Sequence, residues 1–120
     1  MNTIERIFTN RGIKLENIEH YLNTKDTDIY SPSLLKNIHQ GVKLLISHIA
    51  KENKIFIQVD SDADGFCSSA ILINYLVKLF PTYSLNNISY RLHNGKEHGI
   101  ILDTIPEGVK LVIIPDAGSN

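Results

Sequence analysis

The chain has 120 residues, 42% of them hydrophobic and 21% charged, which allows a packed core and argues against disorder. A net charge of −1 excludes a global basic field for nucleic acid, although a site can still be locally basic. The single cysteine, Cys67, excludes an internal disulfide framework and suits a reducing compartment.

Residues 1–10 are mixed and polar, without the apolar stretch of a signal peptide, and no segment nears the length of a membrane span. The expectation is a soluble cytoplasmic protein with no membrane partner. Ile4, Ile7 and Phe8 have helical spacing over residues 1–11, and Gly12 is a plausible stop. Residues 15–22 predict a second short helix, and residues 23–30 a polar loop. Ser31-Pro32 is a good helix start, because serine caps free amides and proline suits the first helical position. Leu34, Leu35, Ile38, Val42, Leu45, Ile46 and Ile49 then form one apolar stripe of an amphipathic helix.

Ile55-Phe56-Ile57-Gln58-Val59 is mostly apolar and β-branched, as a strand buried on both faces would be. Residues 67–80 are apolar nearly all round and predict a buried helix ended by Pro81. Residues 88–92 suit a second strand, 93–98 a polar loop, and 99–105 a short helix before Pro106. Leu111-Val112-Ile113-Ile114 is another apolar strand. Strand, helix, strand, short helix, strand argues for an α/β fold: a parallel sheet with flanking helices behind a helical N-terminal lead-in. The division expected is a lead-in over 1–53 and an α/β part over 54–120.

In such sheets ligands gather beyond the carboxyl ends of the strands. Two strand ends here deliver acids: Val59 runs into Asp60-Ser61-Asp62-Ala63-Asp64-Gly65, and Ile114 leads to Asp116. Three aspartates within five residues repel one another, more so beside a buried strand, and a cation offsets that repulsion. Hard ions such as Mn²⁺ and Mg²⁺ take carboxylate oxygens. Asp60, Asp62 and Asp64 are therefore candidate metal ligands, and Asp116 could complete the site from across the sheet. The plainer reading is a solvated turn in which Asp64 caps the next helix. An EF-hand loop starting at Asp60 is rejected, because its twelfth position is Ile71 instead of glutamate and a strand precedes it. A haloacid-dehalogenase-like phosphatase also places Asp-x-Asp after a strand, but the Gly-Thr that family needs next is missing.

The segment from Ile57 through Asp60-Ser61-Asp62-Ala63-Asp64-Gly65, followed by Ser68-Ser69-Ala70-Ile71-Leu72, resembles the first motif of the RecJ-like DHH phosphoesterases. Leu111 to Ile114 with Pro115 and Asp116-Ala117-Gly118-Ser119-Asn120 resembles their second motif. Arg11-Gly12-Ile13, the loop through Ser31-Pro32 and the helix before the first strand are similar to the family's lead-in. Tyr90-Arg91-Leu92-His93-Asn94 and His98-Gly99-Ile100 are similar to its second strand and the loop after it. The resemblance implies a 5′-3′ single-stranded DNA exonuclease with two Mn²⁺ or Mg²⁺ ions on Asp62, Asp64 and Asp116, and with Asp60 standing nearer the back. It departs at Gln58, where some relatives carry a histidine ligand. It also implies that an Asp-His-His motif and a substrate-gripping domain should follow Asn120. These residues are then the first part of a longer enzyme and inactive alone. Small-substrate phosphoesterases, acting on oligoribonucleotides, cyclic dinucleotides or pyrophosphate, are the alternative, with a non-catalytic binding domain after them.

His98 is a candidate for touching substrate phosphate. It and His93 are otherwise ordinary loop histidines, which is the plainer reading. Arg91 and Lys96 offer charge for a phosphodiester backbone or are merely solvated. Tyr83 and Tyr90 are too few to count as a stacking platform. Cys67 is expected to pack inside the apolar helix rather than act as a reactive thiol.

Overall fold

The computed structural model describes residues 1–117 and divides into two compact units, Met1–Ile38 and the remainder from His39. In the first unit, α1 (Thr3–Asn10) opens with a reciprocal cap. The Glu5 amide donates to Asn2 Oδ1 and the Asn2 amide donates to a Glu5 carboxylate oxygen, each at 2.8 Å. Gly12 follows with φ +79°, the left-handed turn expected at the helix end. A 3₁₀ turn at Leu15–Asn17 leads into α2 (Ile18–Leu22), whose Ile18 is the buried residue of this unit. A single turn of 3₁₀ helix, Asp26–Asp28, interrupts the expected polar loop.

The stripe beginning at Leu34 does not form one helix. Ser31 does cap, accepting from the Ser33 amide at 3.3 Å, but the result is a 3₁₀ turn at Pro32–Leu34. Leu35 then turns extended and Asn37 takes φ 65°, a conformation that asparagine tolerates better than most residues. The long helix α3 (Ile38–Ala50) starts only after this break.

The second unit is built on a three-stranded parallel sheet, as the alternating pattern predicts. Its strands are β1 (Lys54–Val59), β2 (Ile88–Leu92) and β3 (Val109–Ile113), in the order β2-β1-β3. Central β1 is buried on both faces, with Ile55 and Ile57 fully enclosed. Around Ile55, Ile57 and Val59 pack Leu45 and Ile49 of α3, Ile88, Leu111 and Ile113 of the outer strands, and Leu72 and Ile73 of α4 (Ala63–Leu79). Full burial of one such aliphatic side chain stabilises by about 1.5–3 kcal/mol, so this cluster is what holds the strand ends in place.

Helix α4 differs from expectation at its start. It begins at Ala63 instead of Cys67, because Asp62 supplies the cap: its Oδ1 accepts the Gly65 amide at 2.9 Å. It does stop at Pro81, but the same proline opens α5 (Pro81–Asn87), since it fits the first position of a helix as well as it ends one. Nor is α4 buried all round. Gly65, Ser69 and Leu76 face inward, while Phe66, Ile71, Tyr75 and Cys67 are exposed. A helix lying on a sheet covers one stripe, so Cys67 is a surface residue and not a core one. The helix expected over 99–105 shrinks to a 3₁₀ turn at Leu102–Thr104. No helix among the described residues is long and apolar enough to cross a membrane.

Candidate functional site

Parallel pairing sends all three strand ends to one edge. Val59 of β1 pairs with Leu92 of β2, so Asp60 and His93 are the next residues out on adjacent strands. Ile57 pairs with Ile113 of β3, so Asp60 and Asp116 each stand three residues beyond that pair. Asp62 lies in the turn between β1 and α4, as the helix cap, and Asp64 stands in the first turn of α4. That turn has no slack. A Cβ on Gly65 would sit 2.5 Å from the Asp60 carbonyl oxygen, so only glycine lets the first turn of α4 lie against the end of β1.

The four aspartates are not equivalent. Asp60 is largely enclosed, its side chain 13% exposed. Its Oδ1 accepts the Ser61 amide at 2.8 Å and faces His93 Nδ1 at 3.0 Å, and its Oδ2 lies 3.4 Å from His98 Nδ1. The His93 hydrogen bond holds the Asp60 carboxyl below the usual carboxylate range against the opposing effect of burial, with help from the Ser61 amide and from both histidines. Asp62 spends one oxygen on the helix cap. Asp64 is exposed in the first turn of α4. Asp116 is pushed up instead, first because surrounding protein withdraws water from its carboxyl, then by the charges of Asp62, Asp64 and Asp60, with His98 opposing.

The charges of Asp62, Asp64 and Asp60 bear on Asp116 across the edge, and the hard oxygen donors of these acids suit Mg²⁺ or Mn²⁺, which would relieve that repulsion. Among the described residues no three His, Cys, Asp or Glu side chains are already gathered at ligating distance. The tail of the second motif, Gly118-Ser119-Asn120, lies outside the described residues.

His93, read as an ordinary loop residue, and Arg91, read as free charge, both have definite jobs. His93 is fully buried at its side chain, and its Nε2 lies 2.8 Å from the Gly99 carbonyl. Burial works against its charge, but the Asp60 hydrogen bond, the Gly99 carbonyl and the Asp60 and Glu97 charges outweigh it and raise its pKa. The signal that would have singled it out is position: His93 follows β2 as Asp60 follows β1. Arg91 is not free for a phosphate backbone. Its guanidinium grips Glu97 with two bonds of 2.7 and 3.0 Å, which raises the Arg91 pKa and, with the Asn94 amide, lowers that of Glu97 to about 2. Lys96 and His98 remain exposed on the same loop, His98 with 67% of its side chain accessible.

The tyrosines separate. Tyr83 is tied by its hydroxyl to the Asn53 carbonyl at 2.6 Å, at the amino end of β1 and so away from the acids. Exposed Tyr90 lines an apolar hollow of about 260 Å³ with Phe66, Ala70, Ile73 and Leu92, between α4 and β2.

A parallel α/β sheet with an acid-lined carboxyl edge is the class of protein these observations define. Over 114 residues, 95% of its length, the chain is 49% identical to a Bacillus subtilis strain 168 protein named as an SPbeta prophage-derived single-strand DNA-specific exonuclease, YorK. It is 31% identical to the single-stranded-DNA-specific exonuclease RecJ of Haemophilus influenzae over 116 residues, 88% of the chain. It is 34% identical to RecJ of Bacillus subtilis over 64 residues, 53% of the chain. The chain spans 19%, 20% and 8% of the lengths of these relatives, respectively. No family model and no solved structure matches it. Along nearly all its length the chain is thus a relative of RecJ-like exonucleases.

Proposed function

We propose that this chain provides the acidic edge of a metal-dependent phosphodiesterase that degrades single-stranded DNA from its 5′ end. The observation that carries the reading is the register: with Ile57 paired to Ile113, the turn holding Asp60 and Asp62 and the residue Asp116 leave adjacent strands at the same edge. Asp62, Asp64 and Asp116 would hold the ions. Asp60, whose Oδ1 already accepts the Ser61 amide and faces His93, would stand behind them. Bound Mn²⁺ or Mg²⁺ would activate water and stabilise the charge developing on a phosphoryl oxygen. The chain's own residues supply the frame: the cap on Gly65 fixes Asp62, the close approach at Gly65 fixes Asp60, and exposed His98 offers a ring N–H toward a phosphate beside the acids. The names of the relatives, all single-strand-specific exonucleases, support DNA as substrate.

The test is release of nucleotides from 5′-labelled single-stranded DNA with Mn²⁺ by the full-length protein and its Asp64→Ala variant. The expected loss exceeds the roughly 10–100-fold typical for groups that only support a ligand. Undiminished cleavage by the variant would refute the assignment.

A further inference from the structure

We propose that His93 is the positioning residue of this edge: a single buried ring ties the Asp60 carboxylate to the Gly99 carbonyl and so fixes the loop that holds His98 over the acids. The proposal rests on the phosphodiesterase reading for its kinetic consequence, and on geometry alone for its structural one.

His93 extends the sheet by one residue, its backbone N–H donating to the Val59 carbonyl at 2.9 Å. That bond sets where the ring starts. The ring then reaches Asp60 Oδ1 at 3.0 Å on one side and the Gly99 oxygen at 2.8 Å on the other. A carbonyl only accepts and so does an ionised carboxylate, so both ring nitrogens donate and neither is left to act as a base or a ligand. The ring is a bridge whose two ends lie 33 and 6 residues from it in sequence.

A second clamp holds the same loop. The Arg91 fork closes on Glu97, and Glu97 Oε2 also accepts the Asn94 amide at 2.8 Å. Gly95 and Gly99 take φ +61° and +74°, which lets the chain reverse between the clamps. The loop that presents His98 is therefore built in advance. His98 Nδ1 lies 3.4 Å from Asp60 Oδ2 on the solvent side, so a phosphate approaching the acids would meet it. Preorganised groups of this sort lose little when a ligand binds.

Two conservative substitutions divide the bridge. The amide nitrogen of asparagine falls near Nδ1 and that of glutamine near Nε2. His93→Asn should keep the Asp60 link and release Gly99, while His93→Gln should do the reverse. In the full-length protein, H93N is expected to speed amide hydrogen exchange over residues 96–100 and to raise KM for 5′-labelled single-stranded DNA more than it lowers kcat. H93Q should leave exchange in that loop slow and lower kcat more than it raises KM. His93→Ala should do both, with kcat/KM down by about 10–100-fold. If the Asn and Gln variants change exchange and kinetics alike, or neither differs from the unsubstituted protein, the ring only fills space and the proposal fails. If the unsubstituted protein cleaves no DNA, the nuclease reading falls. Loop exchange then decides the bridge: fast in H93N and slow in H93Q upholds it, and equal rates overturn it.

Discussion

The two edges of the one sheet are opposites. At the amino edge, the Tyr83 hydroxyl closes on the Asn53 carbonyl, and the core residues Ile55 and Ile88 lie next to each other in register. At the carboxyl edge stand Asp60, Asp62, Asp64, Asp116, His93 and His98, with only part of their charge paired among the described residues. The first arrangement is what a stable fold calls for. The second costs stability at Asp116, where like charges are held near a carboxyl from which water is partly removed. A polypeptide keeps such a feature where a ligand is to be held, and the strands between the edges give the crowded groups a fixed base.

Substitutions should therefore separate into those that lose activity and those that lose stability. The largest effect is expected for Gly65→Ala, whose new Cβ would meet the Asp60 backbone at 2.5 Å. Displacing Asp60 by a fraction of an ångström to an ångström should cost about 100-fold in kcat/KM, because catalytic geometry is unforgiving. Denaturant unfolding beside the DNA assay would show a smaller stability change than the rate loss implies. Next is Ile57→Ala in the fully buried centre of β1, expected to destabilise by about 2–5 kcal/mol in urea unfolding. Tyr83→Phe should lose about 0.5–1.5 kcal/mol with its hydrogen bond and leave cleavage unchanged; a matching loss of activity would join the two edges after all.

Asp116→Asn carries the opposite sign. A carboxyl whose folded pKa is raised favours the fold when protonated, and that contribution disappears as pH rises through the folded pKa. Near neutrality, without divalent ions, the variant should melt slightly higher than the unsubstituted protein while its cleavage falls. A lower Tm would mean that Asp116 is paired rather than crowded. The smallest effect concerns Glu97. Its pKa is depressed from 4.5 to about 2, so its contribution is present above about 4.5 and is lost as pH falls toward about 2. Glu97→Gln should flatten the pH dependence of stability in that window, read by thermal unfolding at fixed ionic strength.

Much of this was legible in the sequence because it is local. The alternation of strand and helix, the acids after Val59 and the acid after Ile114 need no knowledge of long-range contacts, and they lead to the parallel sheet with Asp60, Asp62, Asp64 and Asp116 at its carboxyl edge. What was missed depends on register or on competing local geometry. His93 looked like a loop residue because its partners come from β1 and from the far end of its own loop. Arg91 looked free because Glu97 is brought back to it only by the turn at Gly95. The stripe from Leu34 has helical period, yet left-handed Asn37 breaks it, and hydrophobic spacing carries no information about one backbone angle. Cys67 was placed inside because apolar composition says how much of a helix is greasy and not how much of it is covered.

Asp62, Asp64 and Asp116 are proposed to form one cation site across two strand ends. The deciding measurement is calorimetric titration of Mn²⁺ into the protein and its Asp62→Ala/Asp64→Ala and Asp116→Ala variants. The expected result is binding to the unsubstituted protein, near-complete loss in the double variant and clear weakening in the Asp116 variant. Equal Mn²⁺ affinity in all three would contradict it.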